Sequence, residues 1–278
     1  RVASYGSVSG EIGELISGVP FYRLLCELDD HFDAKKDDLI EKLQEIAKFI
    51  CRKENLMVDY VGTEEGMEKL ENCVESFAEG LYSCSVKKES FVPVISVKNE
   101  GFMTSGQVQY VCRGGNFKKK GLDYTGSLRA LKVMMGYEYL WNNVRVKGGA
   151  YGCMCGFGKS GECYFVSYRD PNLGKTVEIF EKAAENIRMF EADERTMTQY
   201  IIGAVSDLDI PMNPAALGLF SLSAYMTGVT QEMLQKERDE LLVTTEEDIR
   251  KRYSAEQAED MLKMYDEEIR KSVGGDNK

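Results

Sequence analysis

The stretch Leu140-Trp-Asn-Asn-Val-Arg145-Val-Lys-Gly-Gly-Ala-Tyr151-Gly-Cys-Met-Cys-Gly-Phe157 joins an apolar helical run to a strand-like run. A turn follows it, and Glu162 to Tyr168 has the composition of a second strand. Gly148-Gly149 tolerates positive φ angles and the close approach of another backbone, which fits a bend between a helix and a strand. Arg145 then lies at the end of the helix and Tyr151 at the start of the strand. Both side chains are therefore expected to reach one groove.

An arginine and a tyrosine held this close together can act on a peptide bond. The guanidinium fork and the phenol supply hydrogen-bond donors that a peptide carbonyl accepts. Donors aimed at a carbonyl that becomes an oxyanion lower a hydrolytic barrier by roughly 3–4 kcal/mol each. On spacing alone, the favoured interpretation is structural, with Arg145 paired to a nearby acid beside a core Tyr151.

The wider pattern of the chain favours a catalytic role. Trp141 to Gly152 and Phe165 to Asn172 resemble the C-terminal half of pitrilysin/insulinase-type zinc metallopeptidases. The resemblance is strongest to the presequence-protease branch, whose members degrade peptides. Ile16 to Tyr22 and Arg52 to Leu56 resemble the same branch, so the likeness covers nearly the whole chain.

The resemblance implies a role for the two residues and a place for the chain in a larger enzyme. In the family, an Arg and a Tyr from the C-terminal half reach the zinc site, which lies in the N-terminal half, and hydrogen-bond the substrate near the scissile bond. Arg145 and Tyr151 are the matching positions. Family members contain four similar α+β units, so residues 1–95 are expected to be the back part of the third unit with a linker. Residues 96–278 are expected to form the fourth.

The order of predicted elements favours an α+β fold, with a mixed or antiparallel sheet and helices packed on one face. Lys35 to Arg52 is the clearest amphipathic helix, and Thr63 is the predicted N-cap of the next one. Leu56 to Val61 has the composition of a strand. Gln107 to Arg113 alternates polar and apolar residues, which predicts a half-buried strand ended by Gly114-Gly115.

Capping patterns predict where several later helices begin. Asp170 is the predicted N-cap of the helix after the second strand of the bend, with Pro171 in its first position. Thr244 to Glu247 matches a capping box, and a long charged helix is expected from Glu246 to Val273.

Composition excludes some partners. The chain has 278 residues and a net charge of −11, which argues against nucleic acid and anionic membranes. No secretory leader and no apolar run of 18 residues is visible, so a cytoplasmic location is expected. Because the sequence starts with Arg1, the start of the chain is expected to be trimmed.

The eight cysteines form no Cys-x-x-Cys pair and indicate a reducing compartment rather than a disulfide framework. Cys153 and Cys155, with Cys163 nearby, suggest either a thiolate metal site or core packing, and packing is favoured. Gly156 to Ser160 lacks the spacing of a phosphate-binding loop.

The zinc motif of the family cannot occur here. These peptidases bind zinc through His-x-x-Glu-His and a further Glu, whereas this chain has a single histidine, His31. No metal site is expected in the segment, and His31 is interpreted as an exposed residue at a helix end. The chain is therefore expected to be inactive alone and to work on peptides with a zinc-bearing N-terminal half. A noncatalytic assembly module is the alternative, and a thiol redox protein is a third possibility.

Overall fold

The computed structural model describes residues 1–83 and 90–252. Contacts group the chain into two compact units, and neither unit is continuous in sequence. The first, called the sheet unit, contains Arg1–Gly18, Pro93–Ile210 and Glu232–Lys278. The second, called the helical unit, contains Val19–Val92 and Pro211–Gln231. One junction falls at Val92–Pro93, near the predicted boundary at 95/96, and the assignment to repeat units stays a prediction.

The helical unit is built from amphipathic helices with recognisable ends. Its helices are α2 (Val19–Asp30), α3 (Phe32–Ile50), α4 (Glu64–Glu79) and α9 (Pro214–Thr227). The Thr63 hydroxyl accepts a hydrogen bond from the Gly66 N–H, which confirms the predicted cap of α4. Asn213 caps α9 in the same way, with Pro214 in the first position.

The sheet unit contains the three strands and most of the remaining helices. Its elements are α1 (Val8–Ser17), β1 (Gln109–Asn116), α5 (Ser127–Met134), a π-helix (Met135–Val146), β2 (Gly152–Phe157), β3 (Glu162–Asp170), α6 (Gly174–Glu181), α7 (Ala183–Arg188), α8 (Glu194–Leu208), α10 (Gln231–Leu242, whose first residue falls to the helical unit) and α11 (Glu246–Arg252). The Asp193 carboxylate caps α8 by accepting a hydrogen bond from the Thr196 N–H.

The three strands form an antiparallel sheet in the order β1-β3-β2. Register places Cys155 opposite Phe165, which lies opposite Arg113 on the other side. Val111 and Cys163 share the same face, and both are buried against the helices. The opposite face is exposed at Cys112, Met154 and Tyr164. This arrangement confirms the predicted α+β fold with helices on one face.

One apolar core fills the space between the sheet and its helices. Leu131, Met135, Leu140 and Val144 are at most 1% exposed, and Phe180 of α6 packs in the same cluster. Side chains this well buried each contribute roughly 1.5–3 kcal/mol relative to exposure. The core therefore anchors α5, the π-helix and α6 beneath the sheet.

A buried carboxylate links α10 to the rest of the sheet unit. Glu237 accepts hydrogen bonds from the Tyr124 hydroxyl at 2.8 Å and from the Arg129 guanidinium, and it pairs with the Lys159 ammonium. Burial opposes its ionisation, yet the donated bonds from Lys159, Tyr124 and Arg129 prevail and lower the pKa of Glu237.

Several expectations about strands and caps were wrong. Leu56–Val61 pairs with no strand among the described residues, and Val61 instead packs at Gly218 of α9. β1 does not end at Gly114-Gly115 but continues to Asn116, because both glycines pair with β3. The predicted capping box begins one residue later, where the Thr245 hydroxyl accepts from the Asp248 N–H and the Asp248 carboxylate accepts from the Thr245 N–H.

The predicted helix from Glu246 is seen as α11, and its continuation from residue 253 lies outside the described residues. Within residues 1–83 and 90–252, no helix is both long and apolar enough to span a bilayer.

Candidate functional site

The π-helix positions Arg145 and Trp141 on its outer side. The inner side of this helix is fixed in the core by Leu140 and Val144, which are both fully buried. The Tyr139 hydroxyl adds a hydrogen bond of 2.7 Å to the Ile179 carbonyl of α6. Such wide helices are rare and are often found at functional sites. The sequence predicted a helix here but gave no sign of its wide turns.

The Gly-Gly bend follows at once and reverses the chain. The Gly149 N–H donates to the Arg145 carbonyl at 2.9 Å, and Gly149 has φ +80°, the left-handed conformation that glycine permits. At Gly148 a Cβ atom would lie 2.4 Å from the Val144 carbonyl oxygen, so a side chain is excluded. Both glycines are therefore needed for the reasons predicted, one for φ and the other for close approach.

Arg145 and Tyr151 lie side by side after this bend. The Arg145 guanidinium donates to the Tyr151 carbonyl, and its Cζ atom lies 5.7 Å from the centre of the Tyr151 ring. The guanidinium also covers the Trp141 ring, with Cζ 4.3 Å from the ring centre. Tyr151 is 58% exposed, and its hydroxyl bonds to none of the described residues. The structure thus brings the two predicted site residues together at the surface.

Arg145 has no acidic partner in the described part of the chain, which is contrary to the structural interpretation of the pair. One of its N–H groups is used by the Tyr151 carbonyl, and a guanidinium carries five. Trp141, Arg145 and Tyr151 together form a surface corner at the Gly-Gly bend. The remaining donors of Arg145 and the phenol of Tyr151 can donate hydrogen bonds to a carbonyl or an anionic oxygen that binds at this corner.

The buried carboxylate of Asp170 holds the end of β3 and the loop that follows it, next to the bend. The hydroxyls of Ser167 and Thr176 donate to it at 2.5 and 2.7 Å, and the Asn172 N–H donates at 2.8 Å. The expectation that Asp170 is an N-cap was wrong, since it ends β3 and α6 begins at Gly174. The Asn172 side-chain amide donates in turn to the Gly148 carbonyl, so this network holds the Gly-Gly bend.

Three more residues belong to this surface, and the sequence reasoning gave them no role in the site. The Arg169 guanidinium lies over the Tyr151 ring, with Cζ 5.6 Å from its centre. The Tyr168 ring meets Tyr151 edge-on at 5.5 Å and stacks on Tyr110 at 6.5 Å. The alternation of β3 places Tyr168 on the exposed face, which is the one signal that could have indicated it.

Glycine at position 152 makes room for this ring. A Cβ atom there would lie 2.2 Å from Cε1 of Tyr168, so the ring lies directly across β2.

The described cysteines show no grouping for redox or metal chemistry. Cys155 and Cys163 are buried, and burial raises the pKa of each thiol to about 12. Burial also raises the pKa of Cys153, against the opposing charge of Arg145. These thiols are poor nucleophiles and poor metal ligands in that state.

Within residues 1–83 and 90–252, no three His, Cys, Asp or Glu side chains are grouped closely enough to hold a metal ion. His31 is exposed at the N-cap of α3 and makes no capping hydrogen bond, in agreement with its interpretation as a helix-end residue.

Comparison with known proteins gives consistent matches. Residues 99–269, more than half of the chain, match the family model of the PreP C-terminal domain. Protein HypA of Clostridium perfringens is 39% identical over 242 residues, which cover 87% of this chain and 25% of that protein. Presequence protease 1, chloroplastic/mitochondrial, of Arabidopsis thaliana is 30% identical over 90% of this chain and 23% of that protein. The chain spans about a quarter of the length of these curated relatives.

A protease from Helicobacter pylori of known structure matches 67% of this chain and 49% of its own, with a TM-score of 0.46 and 16% identity. The family is established by the sequence matches alone: the chain belongs to the presequence-protease family and contains its PreP C-terminal domain.

Proposed function

We propose that this chain lines the substrate chamber of a zinc-dependent, peptide-degrading metalloendopeptidase, and that Arg145 and Tyr151 act on the scissile carbonyl. The observation that supports this most is the pairing of the two side chains at an exposed corner, with donors that the described part of the chain leaves unused. The family membership and the names of its relatives are consistent with a peptidase.

The chemistry assigned to the two residues follows from their donors. The guanidinium and the phenol orient the carbonyl of the bound peptide and then stabilise the negative charge that develops on its oxygen. The guanidinium is held in place by Trp141 and the Tyr151 carbonyl, so little reorganisation is needed when the charge develops. One such donor contributes on the order of 3–4 kcal/mol to transition-state stabilisation.

Zinc is proposed for the parent enzyme and not for this segment. The described residues offer no donor set for it, so no step is assigned to the metal here. The resemblance of the sequence to the metallopeptidases implies a His-x-x-Glu-His helix in the N-terminal half, where a bound zinc ion would supply Lewis-acid chemistry. The proposed partners are therefore peptide substrates and that half, and the segment alone is proposed to be inactive. The cytoplasmic location stays a prediction.

Substitutions in the full-length enzyme test the role. Arg145→Ala and Tyr151→Phe are each expected to lower kcat/KM by roughly tenfold to a thousandfold, because each removes one oxyanion donor. Arg195→Ala and Tyr137→Phe are matched controls, since both residues are exposed and neither makes a hydrogen bond or ring contact with Arg145 or Tyr151. Steady-state cleavage of a fluorogenic peptide measures the effect.

Two outcomes would contradict the proposal. Wild-type turnover in both variants would exclude the catalytic role and favour the noncatalytic assembly module. Peptide cleavage by the isolated 278-residue chain would show that the segment does not depend on another half.

A further inference from the structure

Arg169 has an unusual backbone for its residue type. Among the described residues it is the one non-glycine with a positive φ, 48°. Side chains other than glycine rarely adopt this conformation, and when they do the residue often serves a site. The Arg169 carbonyl accepts from the Tyr151 N–H at 3.3 Å, and the next residue is the buried Asp170. The corner therefore holds the backbone of Arg169 in place from both sides.

The side chain of Arg169 is equally unusual because no acid among the described residues pairs with its charge. It is exposed, touches the Tyr151 ring, and makes no hydrogen bond or ion pair with a described residue. The chain carries 46 acidic and 35 basic residues, so an acid is usually near. Arg113 pairs with Glu181, and Arg238 pairs with Asp209 through two hydrogen bonds.

Two guanidinium groups, neither paired with a carboxylate in residues 1–83 or 90–252, thus lie against the same tyrosine ring. The Cζ atoms of Arg145 and Arg169 are 5.7 and 5.6 Å from its centre. The Asp170 carboxylate is turned inward and receives its donors from Ser167, Thr176 and Asn172 instead. The result is a locally cationic, aromatic corner on an acidic protein.

We propose that Arg169 is a specificity-determining residue that binds a carboxylate of the peptide substrate. This inference rests on the proposed function and adds a second contact to it, made by the other guanidinium that lies against Tyr151. A guanidinium fork matches a carboxylate with two parallel hydrogen bonds, which a neutral carbonyl cannot accept as strongly. The carboxylate is either the C-terminal group of a short peptide or an acidic side chain close to the scissile bond.

A binding experiment separates this proposal from catalysis. Trp141, the single tryptophan of the chain, lies under Arg145, so its fluorescence reports on a peptide at this corner. Anisotropy of a labelled peptide gives an independent readout. Four versions of one peptide are titrated into the 278-residue chain, with a free or amidated C-terminus and with an internal Glu or Gln. Binding tighter by roughly tenfold to a hundredfold for one carboxylate over its neutral form is expected, and the pair that differs identifies the source.

Variants then assign the preference to Arg169. Arg169→Gly removes the guanidinium and also suits the positive φ, so folding is retained while the preference for the carboxylate is lost. Arg169→Lys keeps the charge but not the fork, and an intermediate preference is expected. Arg195→Ala is the control with an unchanged preference.

The outcomes separate this proposal from the peptidase role. In the full-length enzyme, Arg169→Gly should raise KM for the carboxylate peptide alone, whereas Arg145→Ala should lower kcat/KM for every peptide. Equal binding of charged and neutral peptides by the wild type would overturn the proposal, as would an unchanged preference in Arg169→Gly. Failure of all four peptides to bind by both readouts would also overturn it. If Arg145→Ala and Tyr151→Phe keep full activity but Arg169→Gly loses the preference, the carboxylate contact stands and the oxyanion role fails.

Discussion

The sheet unit and the helical unit contain helices of similar amphipathic pattern but differ in how far those helices are covered. In the sheet unit, Leu140 and Val144 are fully buried beneath the strands. In the helical unit, Leu43, Ile46 and Ile50 share the apolar face of α3, and each is 51–58% exposed. No residue of α2, α3 or α4 is buried, and Gly218 is the one buried residue of α9.

The comparison shows that helix formation and burial of the apolar face are separate properties, and that an amphipathic pattern predicts only the first. The pattern predicts that a helix forms, because apolar side chains recur on one side. It does not say whether another layer covers that side. The sheet unit contains its own second layer, whereas the described residues of the helical unit leave the apolar side of α3 open. The exposed apolar surface of α3 is typical of a face that contacts another polypeptide layer.

The largest expected difference between the units is in thiol reactivity. Cys51 and Cys73 of the helical unit are exposed, whereas burial raises the pKa of Cys155 and Cys163 to about 12. Because the thiolate is the reactive form, Cys155 and Cys163 should alkylate at least roughly a thousandfold more slowly at pH 8. Pulse labelling with iodoacetamide and peptide mass mapping measures this, with labelling in urea as the control. Equal rates in the folded chain would contradict both the buried core and the packing interpretation of Cys155.

The next largest difference is in the cost of removing a leucine. Leu140→Ala should lower the free energy of unfolding of the sheet unit by about 2–5 kcal/mol, since the side chain is 0% exposed and leaves a cavity. Leu43→Ala, at a position 55% exposed, should cost less than about 1 kcal/mol. Urea unfolding followed by Trp141 fluorescence and by helical circular dichroism measures both. A large loss in Leu43→Ala would show that the face of α3 is covered in solution.

The smallest expected difference between the units is in the free energy of unfolding lost when a carboxylate is neutralised. Glu237→Gln in the sheet unit should cost about 1–2 kcal/mol, because Lys159 and Arg129 are 44% and 28% exposed and can be partly solvated after the charge is lost. Glu65→Gln in the helical unit breaks an exposed pair with Lys69 and should cost almost nothing.

The cost at Glu237 should also depend on pH. The folded pKa of Glu237 lies below its ordinary value of 4.5, so its contribution is present above that value and is lost as the pH falls through the folded pKa. Urea unfolding at pH 7 and at pH 3 should therefore show the wild type and Glu237→Gln approaching each other in acid. A constant gap between them would contradict the role of the charge.

Much of the local structure could be predicted from the sequence. The bend at Gly148-Gly149, the strands on either side of the following turn, and the cap at Thr63 depend on short-range sterics and hydrogen bonds. The strand predicted at Leu56–Val61 failed because a strand also needs a partner, and local composition contains no information on one.

The candidate site divides in the same way. The bend led us to expect Arg145 and Tyr151 in one groove, the family resemblance alone favoured a role in the site, and the structure places them together. Arg169 was not indicated, because its role depends on a left-handed backbone and on the absence of an acid nearby. Asp170 was taken for a cap because its position before Pro171 fits one, although Ser167 and Thr176 from flanking elements made it a buried acceptor.

The sequence by itself determined where most helices and the strands around the bend form, which family the chain resembles, and which two residues flank the diglycine bend, since these follow from neighbours within a few positions. The tertiary structure alone decided which apolar faces are covered, how the wide helix presents Trp141 and Arg145, and why Arg169 faces the Tyr151 ring. Those features require contacts between residues far apart in the chain, and packing across the whole unit sets the geometry of such contacts.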